Sequence, residues 1–133
     1  MIGIDTNVLV RYLVQDDPEQ SAQSAVLIEQ RCSLSLPGFL SDIVLCELVW
    51  VLTGAYKYDK DLVIEVMEQI LVTAELSVKN ENVVRKAIND YKSGNADFSD
   101  YLIVNNNQQS GCIKTYTFDK KLLQHNETNA LEF

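Results

Sequence analysis

The sequence predicts an α/β fold in which helices flank a central, mostly parallel sheet. Short apolar runs typical of strands alternate with longer segments of helical periodicity along the chain, as expected for a parallel sheet covered by helices. No Pro-, Ser- or Gly-rich linker and no repeat interrupts this alternation, and 133 residues suffice for one hydrophobic core. We therefore expect a single domain over residues 1–133.

The first part of the chain predicts two strands and four helices. In order, they are a strand over residues 1–4, helices over 7–14 and 18–31, a strand over 33–36, and helices over 41–53 and 59–72. Pro18 suits a first helical turn, and Ser41 and Asp59 are good N-caps. The second strand is expected to end at Pro37-Gly38, and Gly54 is expected to end the third helix.

The rest of the chain predicts two further strands and two helices. They are a strand over 74–78, helices over 80–92 and 99–109, and a last strand in the run "CIKTYT". The run "KSGN" separates the two helices, and Gly111 ends the second. Because such sheets place their functional sites outside the carboxyl ends of their strands, acidic residues near those ends are the candidates for a site.

Charge and cysteine content limit the classes of function. The chain carries 19 acidic and 11 basic residues, a net charge of -8 that disfavours a nonspecific coat on nucleic acid. Cys32, Cys46 and Cys112 are widely spaced in apolar settings, which predicts reduced core residues rather than disulfides or a metal site. No leader-like or membrane-spanning run is recognisable, so we expect a soluble cytoplasmic protein.

Acidic residues stand where predicted strands end or helices begin. Asp5 follows the first strand, Asp97 and Asp100 flank the start of a helix, and Asp119 follows the last clear strand. N-capping is the alternative explanation for these aspartates, because Asp caps helices well. Asp100 is expected in a first helical turn, where the helix dipole favours a negative charge.

Glu47 interrupts the apolar face of a predicted helix. Its neighbours at helical spacing are apolar, namely Ile43, Val44, Trp50 and Val51, so we expect Glu47 on or beside the buried face. A carboxylate there needs a cation, a hydrogen bond or an opposite charge, and no Lys or Arg occurs between Arg31 and Lys57. A salt bridge to a more distant arginine is the alternative to a cation site.

Convergence of these acids would create a divalent metal site. If the sheet edge brings Asp5, Glu47, Asp100 and Asp119 together, four like charges require a counterion. Carboxylate oxygens suit Mg²⁺ or Mn²⁺ rather than zinc or copper. The single histidine, His125, lies near the C-terminus and is expected to be a structural surface residue.

Four segments of the chain, in this order, resemble the PIN-domain ribonucleases, and specifically the VapC toxins of bacterial and archaeal toxin-antitoxin pairs. The segments are "IDTNVLVRYLVQDDPEQ", "LCELVWVL", "ADFSDYLIV" and "TYTFDKKL". The resemblance implies a PIN fold and an endoribonuclease that depends on Mg²⁺ or Mn²⁺. It also implies an RNA substrate, a small VapB-like antitoxin as partner, and a homodimer.

The resemblance assigns roles to particular residues. It places the family's acidic quartet on Asp5, Glu47, Asp100 and Asp119, with Asp97 as a secondary candidate for the third acid. The supporting polar residues are Thr6 and Asn7 beside the first acid and Thr117 near the fourth. The chain departs from the family pattern after Ile103, where Val104 and three asparagines stand in place of small residues and alanines.

The sequence marks candidate contacts with RNA or the antitoxin less clearly than it marks the acidic residues. RNA candidates are Arg11, Lys57, Lys120 and Lys121, with Tyr56, Tyr58 and Lys60, whose rings and charges suit bases and phosphates. A solvated or core-packed position is the alternative for each. Trp50, Leu52 and the loop at 56–58 are candidates for an antitoxin groove, although Trp50 also suits the core or a dimer interface. A phosphoacceptor receiver domain and a non-catalytic interaction module remain alternative functions.

Overall fold

The computed structural model describes residues 1–131 and confirms the α/β class. In these residues six α-helices alternate with five short strands, and all the strand pairs are parallel. The chain divides into two compact units, Met1–Lys79 and Asn80–Phe133. The extent of a single domain over residues 1–133 stays a prediction.

The first unit contains a three-stranded parallel sheet in the order β1, β2, β3. Its strands are β1 (Ile2–Gly3), β2 (Gly38–Leu40) and β3 (Leu76–Val78). Its helices are α1 (Thr6–Val14), α2 (Pro18–Val26), α3 (Asp42–Gly54) and α4 (Lys60–Leu71), and a π-helical turn over Leu27–Arg31 extends α2. Since β1 and β2 pair side by side, α1 and α3 both begin at the same edge of this sheet.

Capping side chains fix the starts of α3 and α4 as the sequence predicts. Ser41 Oγ accepts the Val44 N–H at 3.3 Å, and Asp59 Oδ1 accepts the Leu62 N–H at 2.9 Å. These bonds satisfy backbone donors that have no partner within the helix. Both helices therefore begin within a residue of the predicted position.

The strand predicted at residues 33–36 is wrong, because β2 begins at Gly38. Residues 33–36 form a turn in which the Ser33 N–H donates to the Leu36 carbonyl and the Leu36 N–H donates to Ser33 Oγ, both at 3.0 Å. Gly38 is buried, and a Cβ there would lie 3.0 Å from Ile4 and 3.2 Å from Cys32. The strand therefore lies where the absence of a side chain permits close packing, which local periodicity does not reveal.

The second unit consists of two helices and a two-stranded parallel sheet. The helices are α5 (Glu81–Ser93) and α6 (Phe98–Gln109), and the strands are β4 (Thr115–Tyr116) and β5 (Thr128–Asn129). The strand expected in the run "CIKTYT" is confirmed as β4, whereas β5 was not predicted. A 3-10 turn over Leu122–Gln124 lies between these strands. In the core of this unit, the rings of Tyr91 and Phe98 meet edge to face with centroids 6.1 Å apart.

The structure also bears on the expectations about cysteines and membrane spans. Cys32 is buried and Cys46 is half-buried, but Cys112 is exposed, so its predicted core position is wrong. None of these three residues, all within the described part of the chain, is in a disulfide. Among residues 1–131, no helix has the length and apolar character needed to cross a membrane.

Candidate functional site

Thr6 connects the first two acidic candidates. Asp5 follows β1 as the N-cap of α1, and its Oδ1 accepts the Thr6 N–H at 2.8 Å. The Thr6 hydroxyl donates to Glu47 Oε1, on α3, at 2.9 Å. Thr6 is buried, whereas Asp5 and Glu47 are exposed. One buried threonine at the sheet edge thus orients two solvent-facing carboxylates.

Glu47 lies on the exposed face of α3, so its expected position on or beside the buried face is wrong. Ile43 and Trp50 share this face and are 71% and 54% exposed. The helix instead buries Val44, Leu45, Leu48, Val49 and Leu52. Because α3 is apolar almost all round, its sequence does not distinguish the two faces. Leu52 is fully buried, so the expectation that it lines a groove is also wrong.

Asp100 lies in the first turn of α6, whose N-cap is Asp97. The Asp97 N–H donates to Asp100 Oδ2 at 3.2 Å. Partial burial raises the pKa of Asp100 above its usual range, and the carboxylates of Asp119 and Asp97 raise it further, although the bond from the Asp97 backbone lowers it. Burial and the two neighbouring carboxylates therefore disfavour the charged form of Asp100.

Asp119 lies just after β4, where the chain turns toward the 3-10 segment. Its Oδ1 accepts the Lys121 N–H at 2.9 Å and the Leu122 N–H at 3.4 Å. Its own N–H donates to Thr117 Oγ1 at 3.0 Å. Capping bonds of this kind account for the orientation of Asp119, and Thr117 fixes the backbone that carries it.

The acidic candidates form two local pairs. Asp5 and Glu47 are linked through Thr6 in the first unit, and Asp119 influences the pKa of Asp100 in the second. Within residues 1–131, no three His, Cys, Asp or Glu side chains are grouped so as to hold a metal ion. Each pair offers carboxylate oxygens, the donors that Mg²⁺ and Mn²⁺ prefer. A single site built from all four acids stays a prediction.

A polar cluster in the second unit was missed by the sequence analysis. Asn105, on α6 and only 6% exposed, donates through Nδ2 to Asp90 Oδ2 and to the Tyr101 carbonyl, both at 2.8 Å. His125 Nε2 lies 3.0 Å from the same Asp90 oxygen. The Glu127 N–H donates to His125 Nδ1, so the neutral imidazole carries its proton on Nε2 and donates to Asp90.

This cluster explains one departure from the family pattern. Asn105, the first of the three asparagines, connects α6 through Asp90 of α5 to the segment that follows Asp119. The expected structural role of His125 agrees with these hydrogen bonds, but its side chain is only 17% exposed and so is more buried than a surface position implies. Only the unusual asparagines signalled the cluster in the sequence, because its members are far apart along the chain.

Arg11, an RNA candidate, already has partners within the first unit. Its guanidinium donates to Gln20 Oε1 at 2.7 Å, to Asp16 Oδ1 at 2.8 Å and to the Tyr56 hydroxyl at 3.2 Å. The bond to Asp16 raises the pKa of Arg11, and the bond from Tyr56 lowers the pKa of Asp16. A phosphate would have to compete with these bonds for Arg11.

Three of the lysine candidates for RNA contact face solvent, whereas Tyr56, Tyr58 and Lys60 are half-buried. Lys57, Lys120 and Lys121 are exposed, and Lys57 has a φ of 58°, in the left-handed region. The neighbouring Tyr56 and Tyr58 rings meet edge to face at 6.4 Å. Asn7 lies with Arg11 in a cleft of about 310 Å³ whose walls come from α1 and α2.

Comparison with protein families identifies a domain over nearly the whole chain. The family described as PIN domain matches residues 2–127. The match spans the four acidic candidates and the Asn105 cluster. A comparison with curated proteins gave no match.

Proposed function

The chain belongs to the PIN domain family, and from this premise we propose that it is a metal-dependent endoribonuclease that hydrolyses RNA phosphodiester bonds. Proteins of this family are generally nucleases. The observation that carries the proposal is the pairing of Asp5 and Glu47 on Thr6, because it presents two carboxylates at the edge of a parallel sheet. The receiver-domain alternative is not supported, since the matching family is a different one.

We further propose that Asp5, Glu47, Asp100 and Asp119 together hold Mg²⁺ or Mn²⁺. The donor set supports this, because all four are carboxylates and the surroundings of Asp100 disfavour its charged form unless a cation is bound. Four like charges at one site need a counterion, and a divalent cation supplies it. When bound, the metal would activate water, neutralise charge on the phosphoryl oxygens and assist the leaving oxygen.

The chain's own residues have distinct parts in this proposal. Asp5 and Asp100 are the candidates for direct ligands, and Glu47 and Asp119 bind directly or through water. One of the four accepts a proton from the attacking water. Thr6 orients Glu47 and Thr117 orients Asp119, while Asp97 is the substitute ligand if Asp100 serves only as a helix cap.

RNA cleavage by the purified chain tests the proposal. A labelled single-stranded RNA should be cut with Mg²⁺ or Mn²⁺ and left intact with EDTA. Glu47→Gln should abolish cleavage, whereas Glu65→Gln, another exposed glutamate, should leave it unchanged. Cleavage that persists in EDTA would contradict a metal nuclease, and undiminished cleavage by Glu47→Gln would contradict the role of the Asp5 and Glu47 pair. Absence of cleavage under every metal would favour the non-catalytic interaction module.

We also propose that the nuclease is a cytoplasmic VapC-like toxin, homodimeric and restrained by a VapB-like antitoxin. The four-segment resemblance supports this role, and the exposed Ile43 and Trp50 on α3 offer apolar area for a partner. Expression of the wild-type chain alone should arrest growth, and expression of Glu47→Gln should not. Harmless expression of an active nuclease would contradict the toxin role without affecting the proposed chemistry.

A further inference from the structure

Two aromatic side chains beside Asp119 are exposed to solvent. Phe118, which directly precedes Asp119, is 84% exposed, and Tyr116 of β4 is 54% exposed. Large apolar groups with such exposure are candidates for binding surfaces when they cluster near a functional site. We call Tyr116 and Phe118 the aromatic pair.

Exposure alternates along residues 115–118, which begin with the two residues of β4. Thr115 and Thr117 alternate with the two rings, and both threonines are engaged within the unit. Asn107 Nδ2 donates to Thr115 Oγ1 at 3.1 Å, and the Asp119 N–H donates to Thr117 Oγ1 at 3.0 Å. Thr115 and Thr117 are half-buried, whereas Tyr116 and Phe118 are exposed, so the anchored threonines leave both rings accessible to a ligand.

The charge around the aromatic pair differs from that of the whole chain. Residues 112–121 contain three lysines, Lys114, Lys120 and Lys121, and one acid, Asp119, whereas the chain has 11 basic and 19 acidic residues. All three lysines are exposed. This short segment therefore suits an anionic ligand within an otherwise acidic protein.

We propose that Tyr116 and Phe118 stack with unpaired bases of single-stranded RNA while Lys120 and Lys121 contact its phosphates. The combination of exposed rings and adjacent positive charge is what sequence-tolerant single-strand binding uses. An acidic peptide would use the lysines but gain less from two rings whose faces suit flat bases. The inference deepens the proposed nuclease function, on which it rests, by naming the form of RNA bound beside Asp119.

Binding without metal tests the inference separately from cleavage. The probe is a fluorescein-labelled oligouridine, which has no duplex structure, titrated with protein in EDTA and followed by anisotropy. Phe118→Ala and Phe118→Leu should each weaken binding about tenfold, since both remove the ring. Phe118→Trp should keep the affinity. Leu34→Ala is the matched control, because Leu34 is 81% exposed in the other unit.

Salt and assembly measurements complete the test. Lys120→Gln should make binding less dependent on salt, whereas Phe118→Leu should leave that dependence unchanged. Unaltered oligouridine affinity in Phe118→Leu would overturn the inference, even if the wild type cleaves RNA. A loss of dimers in Phe118→Leu at unaltered affinity would assign the aromatic pair to an interface between copies. Ring-dependent binding by a chain that cleaves no RNA would support the inference and contradict the nuclease.

Discussion

At the scale of a single residue, Asp100 takes part in a helix cap and is also a proposed metal ligand. Its Oδ2 accepts the Asp97 N–H at the start of α6, which stabilises the helix. Its pKa is raised, first by burial and then by the carboxylates of Asp119 and Asp97, which makes its charged form costly without a cation. Capping and metal binding are compatible roles, because a carboxylate has two oxygens.

Asp100→Asn is expected to preserve the stability of the metal-free protein. The pKa of Asp100 is higher in the folded state than in the unfolded state. The folded state therefore binds this proton more readily, and the free energy of unfolding falls as pH rises from the usual aspartate range through the raised pKa. Asparagine removes that titration while its carbonyl can still accept the Asp97 N–H. Melting curves in EDTA across acidic pH should show a smaller pH dependence and, at neutral pH, a melting temperature no lower than that of the wild type.

Asp97→Asn is the control for this measurement. It leaves Asp100 in place, so the protein should keep most of the pH dependence in the acidic range. A marked loss of stability in Asp100→Asn at neutral pH would show that the charge of Asp100 stabilises the metal-free fold, contrary to our account.

Thr6→Val should lower activity with little effect on stability. Valine matches the shape of threonine in this buried position but cannot donate to Glu47. Glu47 is exposed, so water can replace the lost bond. We expect metal-dependent cleavage to fall about tenfold, as when a group that orients a metal ligand is removed. Thr6→Ser, which keeps the hydroxyl, should restore most of the rate, and wild-type activity in Thr6→Val would contradict a positioning role.

At the scale of elements, residues close together in the sequence predicted where helices begin. Strands whose positions depend on distant residues were not predicted. The starts of α3, α4 and α5 were predicted because Ser41, Asp59 and Asn80 bond to backbone groups three residues away. The position of β2 depends on close packing around Gly38, and β5 is a two-residue strand defined by its pairing with β4. Such information lies in distant parts of the chain and leaves no local pattern.

Among the candidate site residues, too, the features marked by the local sequence were predicted and those that depend on packing were not. The aspartates were recognisable because each stands at a strand end or helix start, which the sequence marks locally. The exposed face of α3 and the bonds among Asp90, Asn105 and His125 were not, because they depend on how the elements pack.

The junction between α5 and α6 gives a prediction about packing. A Cβ at Gly94 would lie 1.8 Å from Tyr101 Oη and 3.0 Å from the Asp90 carbonyl, whereas a Cβ at Gly54 would meet nothing within 4 Å. Gly94→Ala should therefore lower the free energy of unfolding by about 1–3 kcal/mol through overpacking. Gly54→Ala, at the end of α3, should change it little or raise it slightly. Urea unfolding measures both, and equal stabilities would contradict the packing at this junction.

At the scale of the whole molecule, an RNA-cutting enzyme with a net charge of -8 must offset its own repulsion of the substrate. Two features of the proposed site would offset this repulsion. Divalent metal cancels charge among the four carboxylates, and Lys120 and Lys121 provide local positive charge next to Asp119.

Stabilisation by Mg²⁺ tests most directly whether the two carboxylate pairs serve one ion. A ligand that binds only the folded state raises stability with its concentration, so the wild type should melt at higher temperature as Mg²⁺ is added. If one ion needs both pairs, Asp5→Asn and Asp100→Asn should each remove most of this shift. A wild type that Mg²⁺ does not stabilise, or a full shift in either variant, would contradict a shared metal site.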